Sequence, residues 1–143
     1  MDKAVHIVVI DAQGGGIGKQ LVAAVKRGVP NAVVTAVGTN GAATSAMIKA
    51  GADHAATGEN AVVVACRRTD VIMGPIGIVI ADALLGEITP AMAVAVGQSR
   101  AARILIPVER CATTVAGVQD TSTGILVKSA VDSLRSLIGI SND

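Results

Sequence analysis

The chain has 143 residues, is rich in small and branched apolar residues, and contains no Phe, Tyr or Trp. This length corresponds to one domain, and the lack of aromatic side chains excludes a site that stacks a nucleobase on an aromatic ring. Twelve Lys and Arg residues against eleven Asp and Glu residues leave a net charge of +1. Such a balance argues against a nucleic-acid-binding protein, which needs a clustered basic surface.

The predicted elements alternate between strands and helices along the chain. Uninterrupted β-branched runs predict strands that are buried on both faces, and apolar residues at helical spacing predict helices. In chain order we expect a strand over 4–10, a helix over 16–28, a strand over 31–37, a helix over 42–51, a helix from 58, a strand over 71–74, helices over 76–86 and 91–99, strands over 103–108 and 112–118, and a last helix after 121–123.

Local signals support several of these boundaries. Lys26 and Arg27 followed by Gly28 end the first helix, and Thr89 before Pro90 is a typical helix start. The three valines at 62–64 leave a strand as an alternative for the element that begins at 58. Alternating strands and helices imply βαβ units, so the predicted fold is α/β: a three-layer Rossmann-like domain over residues 1–143 with a mostly parallel sheet of about five strands.

The sequence DAQGGGIGKQ, residues 11–20, places four glycines within five positions where the first strand leads into the first helix. In a parallel sheet, ligands bind beyond the carboxyl ends of the strands. Glycines let a phosphate approach the backbone, and a helix N-terminus supplies free N–H donors and a partial positive charge. We therefore expect a nucleotide or another small phosphate-bearing ligand to bind here, to Asp11, Gln13, Gly14, Gly15, Gly16, Ile17, Gly18 and Lys19.

Known phosphate-binding patterns match this loop only in part. The spacing G-x-x-x-G-x-G of short-chain dehydrogenases has Gly16 and Gly18 in place, but Ala12 stands at its first glycine, and the chain has no Tyr for their Tyr-x-x-x-Lys pair. The P-loop pattern loses its first glycine to Gln13 and its Mg²⁺-binding hydroxyl to Gln20. The ligand is therefore left open between NAD(P) and a mononucleotide, and no reaction is assigned. Asp11 either orients the ligand or caps the loop.

Two further strand ends finish in glycine turns and are expected at the same edge of the sheet. Gly38, Thr39 and Asn40 follow the second strand, where a dinucleotide site usually has an acid for the ribose hydroxyls. The chain has no acid there, and no Arg for a 2′-phosphate, so Thr39 and Asn40 are the candidates for contacting a sugar or a base. Gly74 and Pro75 follow the third predicted strand and complete the expected cleft.

Few side chains qualify as catalysts, and it is left open whether the protein is an enzyme. His6 lies inside a predicted strand and is interpreted as a packed core residue. Glu59 and Glu87 are interpreted as acids at helix starts in preference to acids in the cleft, and Glu109 with Arg110 as an exposed pair. No metal site is predicted.

The chain is expected to be cytoplasmic. It begins with charged residues that lead into a strand pattern without a secretory signal, and no segment resembles a membrane span. Cys66 and Cys111 lack metal-ligand spacing and are expected to be reduced thiols. Cys111 is interpreted as an inert small residue, with a catalytic thiol as the alternative.

Five blocks of this sequence are distinctive: DAQGGGIGKQ, GTNGAATSAMIKAGAD, ATGENAVVV, DVIMGPIGIVIADALLGEITP and ILIPVERC. In these blocks the chain resembles a family of short bacterial proteins, a domain of unknown function with a Rossmann-like character. The resemblance covers nearly the whole chain and implies a cytoplasmic bacterial protein. It implies no activity and no catalytic residues.

Three hypotheses about function follow, and the third is an oxidoreductase that lacks the usual tyrosine and whose hydride acceptor and substrate the sequence does not indicate. The first is a Rossmann-like protein that binds a nucleotide or another phosphate-bearing ligand at the glycine loop. The second is a non-enzymatic homo-oligomeric or regulatory protein whose glycines serve packing only. For the second, the Val/Ile/Met-rich residues 71–96 are the predicted self-association surface.

Overall fold

A computed structural model describes residues 4–108, 112–119 and 121–140 of the chain. A short 3-10 helix, Ile76–Val79, follows the fourth strand. The regular elements in chain order are β1 (His6–Asp11), α1 (Gly16–Gly28), β2 (Val33–Gly38), α2 (Gly41–Lys49), β3 (His54–Thr57), α3 (Glu59–Ala65), β4 (Val71–Pro75), α4 (Pro90–Gln98), β5 (Ala102–Ile106) and α5 (Thr123–Leu137).

All five strands are parallel and form one sheet in the order β3-β2-β1-β4-β5. This confirms the predicted α/β, Rossmann-like fold. The direction in which strands are added reverses between β1 and β4. The strands β2 and β3 lie on one side of β1, and the chain then crosses to the other side, where β4 and β5 lie. In open α/β sheets such a reversal creates a crevice at the carboxyl ends of the two strands. The loop 11–20 therefore begins at the crevice.

The core consists of two apolar layers on opposite faces of the sheet. Ile7 and Val9 of β1 face one layer with residues of α1, α2 and α5, while Val8 and Ile10 face the other layer with residues of α3 and α4. This alternation follows from the two-residue period of a strand. Because both faces are covered, β1 reads as a continuous apolar run.

The predicted strand over 112–118 is wrong, and the sheet has a different strand in its place. Within 112–119 the structure has no strand: Ala112 (φ 51°) and Gly117 (φ 85°) are left-handed, and the N–H of Val118 donates to the carbonyl of Val115. The strand that the sequence did not predict is β3, which pairs with β2 at the edge of the sheet. All four of its residues, HAAT, are exposed, so no apolar run marks it in the sequence.

The predicted helix over 76–86 is also wrong. The 3-10 helix ends at Val79, and turns fill residues 80–88. Asp82, Leu84 and Leu85 have φ angles of 66°, 57° and 58°, which a right-handed helix does not allow. The apolar spacing of this stretch reflects burial of Ala83 and Leu84 in a folded loop.

The other element predictions hold with small shifts. The element after Gly58 is a helix, and Thr89 caps α4 by accepting the N–H of Met92 at 3.2 Å. The prediction that His6 is a packed core residue is wrong, because His6 is the exposed first residue of β1. Among the described residues, no helix is long and apolar enough to cross a membrane. Glu109, Arg110 and Cys111 lie outside the described residues.

Candidate functional site

Asp11, the last residue of β1, caps the helix that follows it. The side chain is buried, and its two carboxylate oxygens accept the N–H groups of Ala12 at 2.8 Å and Gly18 at 2.6 Å. The N-cap position of α1 is Gly15, which has no side chain to serve as a cap. Asp11 supplies that acceptor from seven residues upstream. Of its two predicted roles, the structure therefore shows the cap.

Three backbone N–H groups of the loop have no hydrogen-bond acceptor among the residues that the structure describes. The N–H of Gly15 donates to the carbonyl of Ala12 at 3.0 Å. Within the described part of the chain, the N–H groups of Gly14, Gly16 and Ile17 have no hydrogen-bond acceptor. They lie at or just before the first turn of a 13-residue helix, where the aligned peptide dipoles favour an anion.

The four glycines of the loop have two different reasons to be glycine. A Cβ on Gly15, which has φ 73°, would lie 2.9 Å from backbone atoms of Ala43, and one on Gly18 would lie 2.8 Å from the Cβ of Asp11. Packing therefore requires these two glycines. A Cβ on Gly14 or Gly16 would meet no atom within 4 Å, so packing does not explain them.

A cavity of about 310 Å³ lies over the loop at the junction of β1 and β4. Its walls combine the loop with the end of β4 and with residues that the sequence did not indicate. Among the described lining residues, Asp11 is the one charged side chain. The lining is Asp11, Ala12, Gln13, Gly14, Gly16, Ile17, Gln20, Pro75, Leu84, Val108 and Thr123.

Lys19 is placed away from this cavity. Its side chain is exposed and lines a groove on the outer face of α1 and α2 together with Arg27 and Lys49. Gln20, the next residue of α1, lines both this groove and the loop cavity. The predicted full positive charge is therefore not among the groups that line the loop cavity.

The end of β2 is joined to the loop by Glu87. The Oε1 atom of Glu87 accepts the N–H of Gln13 at 3.0 Å, the hydroxyl of Thr39 at 2.8 Å and the side-chain amide of Asn40 at 2.7 Å. Asn40 also donates to the carbonyl of Gln13 at 3.0 Å and caps α2 by accepting the N–H of Ala43. The polar groups of Thr39 and Asn40 thus orient Glu87.

These contacts determine the ionisation of Glu87. Burial raises the pKa of its carboxyl group, but the hydrogen bonds from Gln13, Thr39 and Asn40 lower it by more, so the pKa lies below the ordinary value of 4.5. The group is therefore a carboxylate at neutral pH. A half-buried negative charge lies beside the loop that was predicted to receive an anion.

The prediction that Glu87 is an acid at a helix start is wrong. Glu87 lies in the turns before α4, whereas Glu59 does begin a helix, α3. Its contact with Gln13 spans 74 residues, so no local pattern identifies it. Leu84, Val108 and Thr123 of the cavity wall were missed for the same reason.

Gly38 and Gly74 are both explained by packing. A Cβ on Gly38 would lie 2.6 Å from the amide nitrogen of Thr44, and one on Gly74 would overlap the carbonyl oxygen of Ile10. Pro75, by contrast, lines the loop cavity. The structure thus gathers Asp11, Gln13, Gly14, Gly16, Ile17 and Pro75 around one cavity.

Other potentially reactive groups lie apart from the loop. Cys66 is buried, and burial raises the pKa of its thiol to about 11. The described residues contain no group of three His, Cys, Asp or Glu side chains placed to hold a metal ion.

Comparison with known proteins relates this architecture to two solved structures. The chain is similar to a dodecameric FMN-dependent Ubix-like decarboxylase from Escherichia coli O157:H7, with 16% identity over 96% of each chain and a TM-score of 0.45. It is also similar to a nucleoside-diphosphate-sugar epimerase from Pseudomonas aeruginosa, with 14% identity over 92% of this chain and 47% of that one, and a TM-score of 0.48. No curated protein matches the chain.

A family model matches almost the whole chain, from residue 6 to residue 139. The chain therefore belongs to the family described as Domain of unknown function (DUF3842).

Proposed function

We propose that the glycine loop binds the phosphate group of a mononucleotide. The observation that carries this proposal is the set of three backbone N–H groups, of Gly14, Gly16 and Ile17, that have no acceptor in the described chain and belong to residues lining a cavity. Amides at a helix N-terminus bind phosphate without a neighbouring cation.

The charge of the cavity favours a single phosphate group. The described lining contains no Lys or Arg, and Asp11 already places one buried carboxylate at the helix N-terminus. Its charge offsets part of the positive end of the helix dipole. A triphosphate would add several negative charges with no cation among these groups to balance them.

The size of the cavity favours a mononucleotide over NAD(P). Small-molecule sites range from about 300 to 1,000 Å³, and a volume of about 310 Å³ lies at the lower end of that range. We propose no reaction. The cavity offers donors and apolar walls, and the described lining contains no His, Cys, Lys or Tyr.

Isothermal titration calorimetry with AMP tests this proposal. Gly16→Val places a branched side chain where a phosphate would approach the backbone, and its Cβ meets no protein atom within 4 Å. The matched control is Gly97→Val, at an exposed helical glycine with equally open space in the last turn of α4. Binding by the wild type and by the control, but not by Gly16→Val, is expected. Equal binding by all three would refute the proposal.

A spectrum of the purified protein adds a direct check. Because the chain has no Trp or Tyr, it absorbs very little at 280 nm, and a co-purified base would give a separate band near 260 nm. Denaturation and chromatography of the released material would identify the compound.

A homo-oligomeric protein with a structural glycine loop is the second candidate. The packing roles of Gly15 and Gly18 favour this candidate. It does not explain why residues 14 and 16 are glycines, because a Cβ at either position would meet no atom within 4 Å. The predicted self-association surface over 71–96 is largely core; of its large apolar side chains, Leu85 is 96% exposed and Val94 is 52% exposed. Light scattering of the wild type and of Leu85→Asn tests this candidate, which requires an oligomer that the substitution weakens.

A further inference from the structure

We infer that Glu87 selects a nucleotide with a free ribose 2′-hydroxyl, and that it discriminates against a 2′-deoxy or 2′-phosphorylated sugar. The inference rests on the proposed function, because the loop amides must hold the phosphate. It assigns Glu87 the role of a specificity-determining residue.

The two oxygens of the Glu87 carboxylate have unequal surroundings. Oε1 accepts all three hydrogen bonds, from Gln13, Thr39 and Asn40. Oε2 accepts none from the described chain. The first oxygen therefore fixes the position of the group, and the second keeps its acceptor capacity for another molecule.

Glu87 contacts the glycine loop beside the free phosphate donors. Glu87 is bonded to the N–H of Gln13, which is adjacent in sequence to Gly14, the first of the free phosphate donors. Adjacent Cα atoms are about 3.8 Å apart, so Glu87 contacts the loop one residue before the first of the free donors. Leu84, from the same segment as Glu87, lines the cavity itself.

The end of β2 lacks the acid that binds ribose hydroxyls in dinucleotide sites. Thr39 and Asn40 stand there, and each directs a donor at Oε1 of Glu87. A carboxylate is thus delivered to that edge of the sheet from the turns before α4. Arrival from another element explains why the acid is absent from the expected place in the sequence.

The backbone that presents Glu87 is strained. Leu84 and Leu85 are consecutive left-handed residues, and the N–H of Asp82 donates to the carbonyl of Ile88 at 2.7 Å across the turn. Left-handed conformations of bulky residues persist only when the surroundings enforce them, and they concentrate at ligand sites.

The chemistry of a carboxylate sets the selectivity. A charged acceptor gains a strong hydrogen bond from a hydroxyl group, loses it when the hydroxyl is replaced by hydrogen, and repels a phosphate group at the same place. A glutamine at this position would remove the charge and the repulsion, while its carbonyl oxygen could still accept from Gln13, Thr39 and Asn40.

The test compares three probes by calorimetry: AMP, 2′-deoxy-AMP and adenosine 2′,5′-bisphosphate. The wild type is expected to bind AMP about tenfold or more tightly than 2′-deoxy-AMP, as one lost hydrogen bond to a charged group implies. Glu87→Gln is expected to shrink that ratio and to bind the bisphosphate about tenfold more tightly than the wild type does. A merely structural role would change the affinity for all three probes together.

The outcomes separate the two proposals. If the wild type binds AMP and 2′-deoxy-AMP equally, the inference is wrong and the phosphate site stands. If the wild type binds neither AMP nor inorganic phosphate, the proposed function fails and this inference fails with it. The wild-type ratio needs no variant, so the inference stays testable if Glu87→Gln does not fold.

Discussion

The carboxylate of Asp11 and the amide of Gly18 are 2.6 Å apart, seven residues from each other in the chain. The last residue of β1 thereby caps the helix that begins five residues later. This contact closes the glycine loop between them, and within the described chain the amides of Gly14, Gly16 and Ile17 have no acceptor. The same geometry underlies the following predictions.

Asp11→Ala is expected to destabilise the fold strongly. The substitution leaves the N–H groups of Ala12 and Gly18 without their acceptor in a buried place, at about 1–3 kcal/mol for each. We expect the free energy of unfolding to fall by about 2–4 kcal/mol, measured by urea denaturation. Circular dichroism is the suitable signal, because the chain has no Trp or Tyr.

Lys128→Ala is the control for that variant. Lys128 forms an exposed pair with Asp132 one turn away on α5, and such pairs contribute less than about 1 kcal/mol. A comparable loss in both variants would contradict the capping role of Asp11.

The glycines of the loop are expected to differ in what they tolerate. Gly15→Ala forces a Cβ onto a left-handed residue and to within 2.9 Å of the Ala43 backbone, and we expect a loss of about 2–4 kcal/mol. Gly16→Ala has open space at the start of a helix and is expected to change stability by less than about 1 kcal/mol. Denaturation curves of the two variants compare them directly; equal losses would mean that the described loop packing is wrong.

The contribution of Glu87 to stability is expected to depend on pH. Its pKa in the folded protein lies below the ordinary value of 4.5. A lowered folded-state pKa gives stability that is present above the unfolded-state pKa and is lost as the pH falls through the folded-state value. Wild type and Glu87→Gln should therefore differ most near neutral pH and converge below pH 4.5.

Urea midpoints of the two proteins from pH 7 to pH 3 measure this convergence. Asp53 also has a lowered pKa, through hydrogen bonds from the Val34 backbone and Lys26, but both proteins contain it and the difference between them removes it. A stability difference that stays constant over this range would show that the Glu87 carboxylate is not held by these bonds.

Leu85→Asn is expected to stabilise the protein. Leu85 is left-handed, with φ 58°, and its side chain is 96% exposed, so little packing is lost. Leu pays about 1–2 kcal/mol for this conformation, which Asn adopts more readily. We expect a gain of about 0.5–1 kcal/mol in the free energy of unfolding, whereas a loss would indicate that Leu85 is covered by another molecule.

The sequence was sufficient for the parallel α/β fold, for four of the five strands and for the position of the glycine loop. Apolar runs identify β1, β2, β4 and β5. The pattern is strongest in β1 and β4, which are buried on both faces, whereas β5 at the edge of the sheet is only partly buried. The exposed strand β3 has no such pattern, and the apolar run over 112–118 forms no strand in the described chain.

Within the site, sequence spacing located the loop amides but not their neighbours. Gly14 and Gly16 are recognisable because a helix start and a strand end flank them. Glu87 is not, because its bond to Gln13 spans 74 residues and depends on a turn with left-handed leucines. The sequence alone does not determine which side chains at the start of α1 line the cavity, and Lys19 is not among them.

The most direct test of the central claim is a titration of the ¹⁵N-labelled protein with AMP, followed by amide chemical shifts. The account predicts that the largest shifts occur at Gly14, Gly16 and Ile17, with smaller changes at Gly18, whose N–H is already bonded to Asp11. Shifts confined to the outer groove at Arg27 and Lys49, or no shift at millimolar AMP, would contradict the claim that the glycine loop is a phosphate site.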